Sequence, residues 1–138
     1  MGAGKVVFIY KLGIDRSSFF CLNAPMYAFI ADVHMRPLNA DDRRRFIALL
    51  DAVKARAAQI YILGDLFEYW HTGLEDQVQD VIAALAEPVF HVMRGNRDFL
   101  LSPPFPGLID GEELRIELYG RRILASHGHM LVRGDLGF

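Results

Sequence analysis

Apolar runs and amphipathic segments alternate along most of the chain. Three apolar runs, at residues 27–31, 59–63 and 89–93, have the length and composition of buried strands. Between them, apolar residues recur with the spacing of one helix face: Phe46, Leu49, Leu50 and Val53, then Val78, Val81, Ile82 and Leu85. This order predicts an α/β fold, with a parallel core sheet and helices on the sheet faces.

Capping and turn residues mark the ends of these elements. Asn39 is suited to cap the first helix, with acidic residues in the turn that follows. Pro88 ends the second helix. Two further runs, at residues 114–118 and 122–125, flank Tyr119-Gly120-Arg121 and predict a β-hairpin with its turn at those three residues.

The first 25 residues differ from the rest because they show no sustained period. Residues 6–10 could form a short strand. Met26 stands directly before the first strong strand pattern, where translation could also start. We therefore treat residues 1–25 as an N-terminal extension, which the native protein lacks if translation starts at Met26.

Composition narrows the class of protein. Of the 138 residues, 52% are apolar, which excludes a disordered chain. The 15 Lys and Arg residues are balanced by 17 Asp and Glu residues, so we expect no nucleic acid as a partner. The single cysteine excludes an internal disulfide framework and a zinc site built from cysteines. No apolar run is long enough to predict a spanning helix.

Side chains that can bind a metal follow four of the apolar runs. They are Asp32 and His34, Asp65, Asn96, and His127. Ligands of open α/β sheets lie beyond the carboxyl ends of the strands, so we expect these residues to converge. Mixed oxygen and imidazole donors suit manganese, iron or zinc, and Asp65 has two oxygens with which to bridge two ions. Each motif alone is common in turns without any function. The prediction of a metal site therefore depends on the joint occurrence of these motifs in this order.

The order of four motifs resembles the calcineurin-like metallophosphoesterases. The motifs are Asp32-Val33-His34, Gly64-Asp65, Gly95-Asn96-Arg97-Asp98 and Ser126-His127-Gly128-His129. The resemblance implies that residues 26–138 are the N-terminal part of a metallophosphoesterase domain, a partial sandwich that lacks its C-terminal part. It also implies two divalent metal ions, with manganese as the expected metal.

The resemblance assigns a role to each candidate residue. Asp32 and His34 would hold the first ion, and Asp65 would bridge the two. Asn96 and His127 would hold the second ion. Arg97 would contact substrate phosphates, for which a planar guanidinium is suited. Asp135 matches a position that contacts the sugar, and His129 is a further candidate for substrate binding.

Longer stretches, at residues 61–68, 95–101 and 118–122, resemble one branch of that family. This branch hydrolyses the pyrophosphate bond of a UDP-linked acylated glucosamine in lipid A biosynthesis. The implied reaction is attack of a metal-bound hydroxide on the α-phosphorus of UDP-2,3-diacylglucosamine. The products would be UMP and 2,3-diacylglucosamine 1-phosphate.

Two departures from this branch leave alternatives open. His129 stands where the branch usually has aspartate, which allows a different phosphodiester or nucleotide as the substrate. The last family motif, Gly-His-x-His, does not occur in the 138 residues, so we expect weak metal binding by this chain. A truncated remnant without activity is therefore a third interpretation.

The implied location is cytoplasmic, with peripheral contact at the inner membrane surface. Arg43, Arg44 and Arg45 form a basic run that is either a solvated face or a contact with anionic headgroups. The apolar, proline-rich segment 99–109 is either a rigid loop or a contact with acyl chains.

Overall fold

The computed structural model describes residues 6–10 and 25–128. The strands are β1 (Val6–Tyr10), β2 (Tyr27–Ala31), β3 (Gln59–Leu63), β4 (Phe90–Met93), β5 (Glu113–Leu118) and β6 (Arg121–Ser126). The helices are α1 (Ala40–Lys54) and α2 (Gln79–Leu85), with a 3-10 turn at Glu75–Gln77. The predicted α/β class is confirmed.

Four strands form one sheet in the order β1-β2-β3-β4. β2, β3 and β4 are parallel, as predicted, and Ile62 of β3 pairs with Ile30 on one side and Val92 on the other. The strand predicted at residues 6–10 is present and pairs antiparallel with β2, with Val6 opposite Ala31. The carboxyl ends of β2, β3 and β4 therefore lie along one edge of the sheet.

Both described helices cover the same face of the sheet, which corrects the prediction of helices on the sheet faces. Their buried side chains join one face of the parallel strands in a single core: Phe46, Leu50, Val53, Val81 and Leu85 with Ala28, Ile30, Ile60, Ile62, Phe90 and Val92. The order β2-β3-β4 advances in one direction, and right-handed crossovers in one direction place successive helices on the same face.

The β5-β6 hairpin packs against the opposite face. Tyr61, Met93 and Leu114 form the buried centre of this second cluster, and Phe29 stacks on Tyr61 with ring centroids 5.3 Å apart. Within the described residues the hairpin is a separate two-stranded sheet. Leu118 pairs directly with Arg121, so the turn has two residues and not the predicted three. Tyr119 and its neighbouring glycine both have positive φ, as a tight hairpin turn requires.

The helix ends agree closely with the capping signals. Asn39 Oδ1 accepts a hydrogen bond of 2.9 Å from the backbone N–H of Asp42, and α1 starts at the next residue after Asn39. α2 ends at Leu85, before Pro88. Among the described residues, we find no helix with the length and apolar character needed to cross a membrane.

Candidate metal centre

The site lies at the carboxyl edge of the parallel strands. Asp32 follows β2 directly, and Asp65 follows β3 after one glycine. The loops continue the pairing of the strands, because the backbone N–H of Asp32 donates to Gly64 O at 3.3 Å and that of His34 donates to Asp65 O at 2.9 Å. These bonds hold the two loops side by side, so that their side chains face one space.

Three residues of this cluster have a left-handed backbone. Asp32, His34 and Asp65 have φ of 54°, 49° and 52°. This conformation is uncommon outside glycine, although Asp and His adopt it more often than most residues. It turns the chain sharply as each strand ends and directs successive side chains to the same side. Such strained positions concentrate at functional sites.

Asp32, His34 and Asp65 form one group of candidate ligands. His34 Nε2 lies 3.7 Å from Asp32 Oδ1 and 3.6 Å from Asp65 Oδ2. One donor atom from each residue lies within 4.8 Å of the others. This spacing allows a single ion to contact all three after small side-chain adjustments.

Asp65, Asn96 and His127 form a second group around the same carboxylate. His127 Nε2 lies 3.0 Å from Asn96 Oδ1 and 3.3 Å from Asp65 Oδ2. The other ring nitrogen, Nδ1, lies 2.9 Å from Leu63 O. In the neutral tautomer protonated at Nδ1, the ring would donate a hydrogen bond to this carbonyl. The lone pair of Nε2 would then point into the site.

Asp65 is central to both groups and is almost fully buried. Its Oδ2 faces both histidines, and its Oδ1 accepts a 2.9 Å hydrogen bond from the backbone N–H of Arg97. Burial alone would raise the pKa of Asp65, but hydrogen bonds from His127 and the Arg97 backbone outweigh it and lower that pKa. The carboxylate is therefore ionised at neutral pH and available to a cation.

The same contact acts in the opposite direction on His127. Its hydrogen bond with Asp65 raises the pKa of His127 to about 9, against an opposing effect of burial. Without a cation, a proton on His127 thus balances part of the negative charge of the cluster. A bound cation would take over that role.

Two glycines permit the close approach of these loops. A Cβ on Gly95 would overlap with Asp65, both at Oδ1 and at the backbone nitrogen. A Cβ on Gly64 would lie 2.6 Å from His127 Nδ1. Any side chain at either position would push the candidate ligands apart.

Asp98 was not predicted as a site residue, yet it supports the loops of the site. Asp98 is fully buried and accepts hydrogen bonds from the backbone N–H groups of Gly95, at 2.7 Å, and Phe67, at 3.2 Å. It thereby connects the loop after β4 to the loop after β3. Burial raises the pKa of Asp98. Its place in the Gly-Asn-Arg-Asp turn was the available sequence signal.

The remaining predicted residues have different surroundings. Arg97 is half exposed beside the cluster, with Nη1 3.3 Å from Glu68 Oε1. His129 and Asp135 lie outside the described residues. In the basic run, Arg43 is largely covered and donates to Pro37 O and to the Asp80 carboxylate, so this arginine is committed to contacts within the protein.

The donor set fits divalent metal ions. It combines carboxylate, amide and imidazole donors, which suit ions such as manganese, iron and zinc. Both histidines direct Nε2 into the cluster, where it faces Asp65 Oδ2. Nδ1 of each ring faces a protein oxygen, on Glu68 for His34 and on Leu63 for His127. Such outer contacts are usual for histidines that bind metals.

Comparison with known proteins identifies related sequences. The UDP-2,3-diacylglucosamine hydrolase of Chromobacterium violaceum is 40% identical over 122 residues, which are 80% of this chain and 51% of that protein. Those of Aeromonas hydrophila and Klebsiella pneumoniae are 36% and 34% identical, over 80% of this chain and 50% of each relative. The chain is homologous to these hydrolases. It spans about half the length of the curated relatives that it matches. No protein-family model matches the chain.

The homology confirms the resemblance that the longer sequence stretches indicated. Relatives at 34–40% identity carry the name of the branch predicted from residues 61–68, 95–101 and 118–122. Because the identity extends over 122 residues, it is not confined to the short metal-binding motifs.

Proposed function

We propose that this chain is part of an enzyme that hydrolyses the pyrophosphate bond of UDP-2,3-diacylglucosamine. The products would be UMP and 2,3-diacylglucosamine 1-phosphate, and the reaction would serve lipid A biosynthesis. The homology to UDP-2,3-diacylglucosamine hydrolases carries this proposal. The convergence of Asp32, His34 and Asp65 at the edge of the sheet supports it, since hydrolases of phosphate esters commonly use metal sites of this composition.

The proposed domain is the N-terminal part of a calcineurin-like metallophosphoesterase sandwich, formed by residues 26–138. One sheet would contain β2, β3 and β4 and be covered on one face by α1 and α2. β1, which lies in the preceding residues, pairs with β2 at the edge of this sheet. The β5-β6 hairpin would begin the second layer, because it packs against the other face through Leu114. Residues 1–25 are proposed to be an extension of this domain.

We propose that the site takes two divalent ions, with Mn²⁺ as the physiological metal. Asp32 and His34 would hold one ion, Asn96 and His127 would hold the other, and Asp65 would bridge them. Two bound ions would supply Lewis-acid charge and lower the pKa of a water molecule toward neutrality. The position of Asp65 Oδ2 between the two imidazole Nε2 atoms supports the bridging role.

The protein's own groups would bind and orient the substrate. The guanidinium of Arg97 is half exposed at the side of the cluster and can reach a phosphate outside it. Its planar fork suits two phosphate oxygens at once. The backbone N–H of the same residue holds Asp65 in place, so the position of the proposed phosphate contact is tied to that of the bridging carboxylate.

An apolar surface beside Arg97 is proposed to contact acyl chains at the inner face of the cytoplasmic membrane. Phe99 is 63% exposed and Leu100 is 49% exposed, although both are large apolar residues. They follow Arg97 within three residues, so a ligand with its phosphate at Arg97 would have its acyl chains near this surface. Exposed apolar patches commonly mark such contacts.

The test is release of UMP from UDP-2,3-diacylglucosamine by the native protein in the presence of Mn²⁺. Asp65→Ala should abolish the activity, whereas Asp76→Ala, which removes an exposed carboxylate in the 3-10 turn, should leave it unchanged. Hydrolysis of general phosphodiesters without release of UMP would favour a different substrate. Activity that persists in Asp65→Ala would exclude the two-metal proposal. No Mn²⁺ binding and no turnover would identify a remnant without activity.

A further inference from the structure

Glu68 lies between a candidate metal ligand and the proposed phosphate contact. Its Oε2 is 2.9 Å from His34 Nδ1, and its Oε1 is 3.3 Å from Arg97 Nη1. The two contacts use different oxygens, so one carboxylate can make both at the same time. None of the roles proposed above uses this residue.

The backbone fixes Glu68 beside His34. The N–H of Glu68 donates to Met35 O at 2.9 Å, and Met35 also pairs with Phe67 as an isolated parallel bridge. These bonds join the loop after β3 to the residue that follows His34. The Glu68 side chain therefore starts from a defined position and needs only its own torsions to reach the imidazole.

The carboxylate of Glu68 lies beside His34 Nδ1 and can serve as its acceptor. This nitrogen is buried, and within the described residues it has no aligned hydrogen bond. The Glu68 oxygen at 2.9 Å is close enough but lies off the N–H direction. Since the Glu68 side chain is partly exposed, a small rotation of the carboxylate can align it.

The two ring nitrogens of His34 have competing acceptors. Nδ1 faces Glu68, whereas Nε2 faces Asp32 and Asp65 at 3.7 Å and 3.6 Å. A neutral imidazole carries its proton on only one nitrogen. An acceptor at Nδ1 keeps that proton away from Nε2, so the Nε2 lone pair stays free for a cation.

We propose that Glu68 is a positioning residue that holds His34 in the tautomer protonated at Nδ1. Arg97 fixes the carboxylate from the other side by binding its second oxygen. That this tautomer serves metal binding rests on the proposed function. The tautomer itself can be observed in the metal-free chain. Outer-shell contacts of this kind typically change metal affinity by about 10- to 100-fold when removed.

The first experiment measures the tautomer directly. Two-bond ¹H–¹⁵N NMR spectra of the metal-free 138-residue chain, recorded where His34 is neutral, report the fraction protonated at Nδ1. Glu68→Ala should lower this fraction, and Glu68→Gln should lower it less because the amide oxygen still accepts. Glu112→Ala removes an exposed carboxylate elsewhere and should leave the fraction unchanged. An unchanged fraction in Glu68→Ala would overturn the proposal. If Glu68→Ala does not fold, an unchanged fraction in Glu68→Gln overturns it instead.

The second experiment measures Mn²⁺ affinity by titration calorimetry. Glu68→Ala should weaken the affinity by about tenfold, while Glu112→Ala should not change it. If the parent chain binds no Mn²⁺ but Glu68→Ala still shifts the tautomer, the metal proposal fails and the positioning role stands. If the parent binds Mn²⁺ and Glu68→Ala alters neither the tautomer nor the affinity, the positioning role fails and the metal site stands.

Discussion

The affinity of the site for Mn²⁺ should depend steeply on pH because of His127. Its hydrogen bond with Asp65 raises the pKa of His127 to about 9, so the ring is protonated at neutral pH when no metal is present. A metal ligand must first lose that proton. Below the pKa, affinity should therefore fall about tenfold for each pH unit, and at pH 7 it should be about 100-fold below its limit at high pH.

The stability of the metal-free chain should change in the opposite direction. The pKa of His127 is raised above its ordinary value of 6.5, so its protonation stabilises the folded state. This contribution is fully present below pH 6.5 and is lost as the pH rises through about 9. From the pKa difference it amounts to at most about 3 kcal/mol. Stability thus falls over the pH range in which metal affinity rises.

Titration calorimetry in Mn²⁺ between pH 7 and 9 tests this reasoning. In buffers of different ionisation enthalpy, binding at pH 7 should release about one proton. His127→Gln should lose the steep dependence. His91→Gln should keep it, because His91 bonds to Gln59 within the sheet and burial lowers rather than raises its pKa. An affinity independent of pH in the parent, or an equal slope in His127→Gln, would refute the role given to His127.

Two further predictions concern the loops of the site. Gly95→Ala should displace Asp65, because the new Cβ would occupy the same space as that carboxylate. In urea unfolding, the free energy of unfolding should fall by about 1–3 kcal/mol, and the Mn²⁺ affinity should fall as well. Gly111→Ala has open space around it but a φ of 83°, so it should lower the free energy of unfolding by about 1–2 kcal/mol and leave the Mn²⁺ affinity unchanged. An equal loss of Mn²⁺ affinity in both variants would contradict the steric argument. Asp98→Asn keeps only one acceptor oxygen for the two backbone N–H groups that Asp98 binds. The free energy of unfolding in urea should therefore fall by about 1–3 kcal/mol. An unchanged free energy of unfolding would show that the two buried hydrogen bonds are not needed.

Local patterns made much of the fold predictable. The strands Tyr27–Ala31 and Gln59–Leu63 have the predicted bounds, and Asn39 caps α1 as predicted. These features depend on neighbouring residues, through the alternation of apolar runs and the chemistry of a helix end. The predicted three-residue turn is one residue too long, because Arg121 belongs to the strand. The left-handed backbone of Tyr119, which allows the shorter turn, is not evident from its side chain.

The relative placement of elements was less accessible from the sequence. Helices on one face only result from the order in which the strands join the sheet, and that order depends on long-range pairing. The position of Glu68 likewise depends on the bridge between Met35 and Phe67, which connects segments far apart in the sequence. A glutamate three residues after Asp65 carries no local signal that it reaches His34.

The metal site and the fold make opposing demands on the same short segments. The left-handed backbone of Asp32, His34 and Asp65 costs roughly 1–2 kcal/mol per residue, and the cluster also brings carboxylates together. Paired loop hydrogen bonds and the buried Asp98 hold this arrangement without a metal. A protonated His127 offsets part of the charge until a cation replaces the proton. The packed strands thus stabilise the fold enough to offset the unfavourable backbone conformations of the turns at their ends. These turns hold the candidate ligands close together without a bound cation.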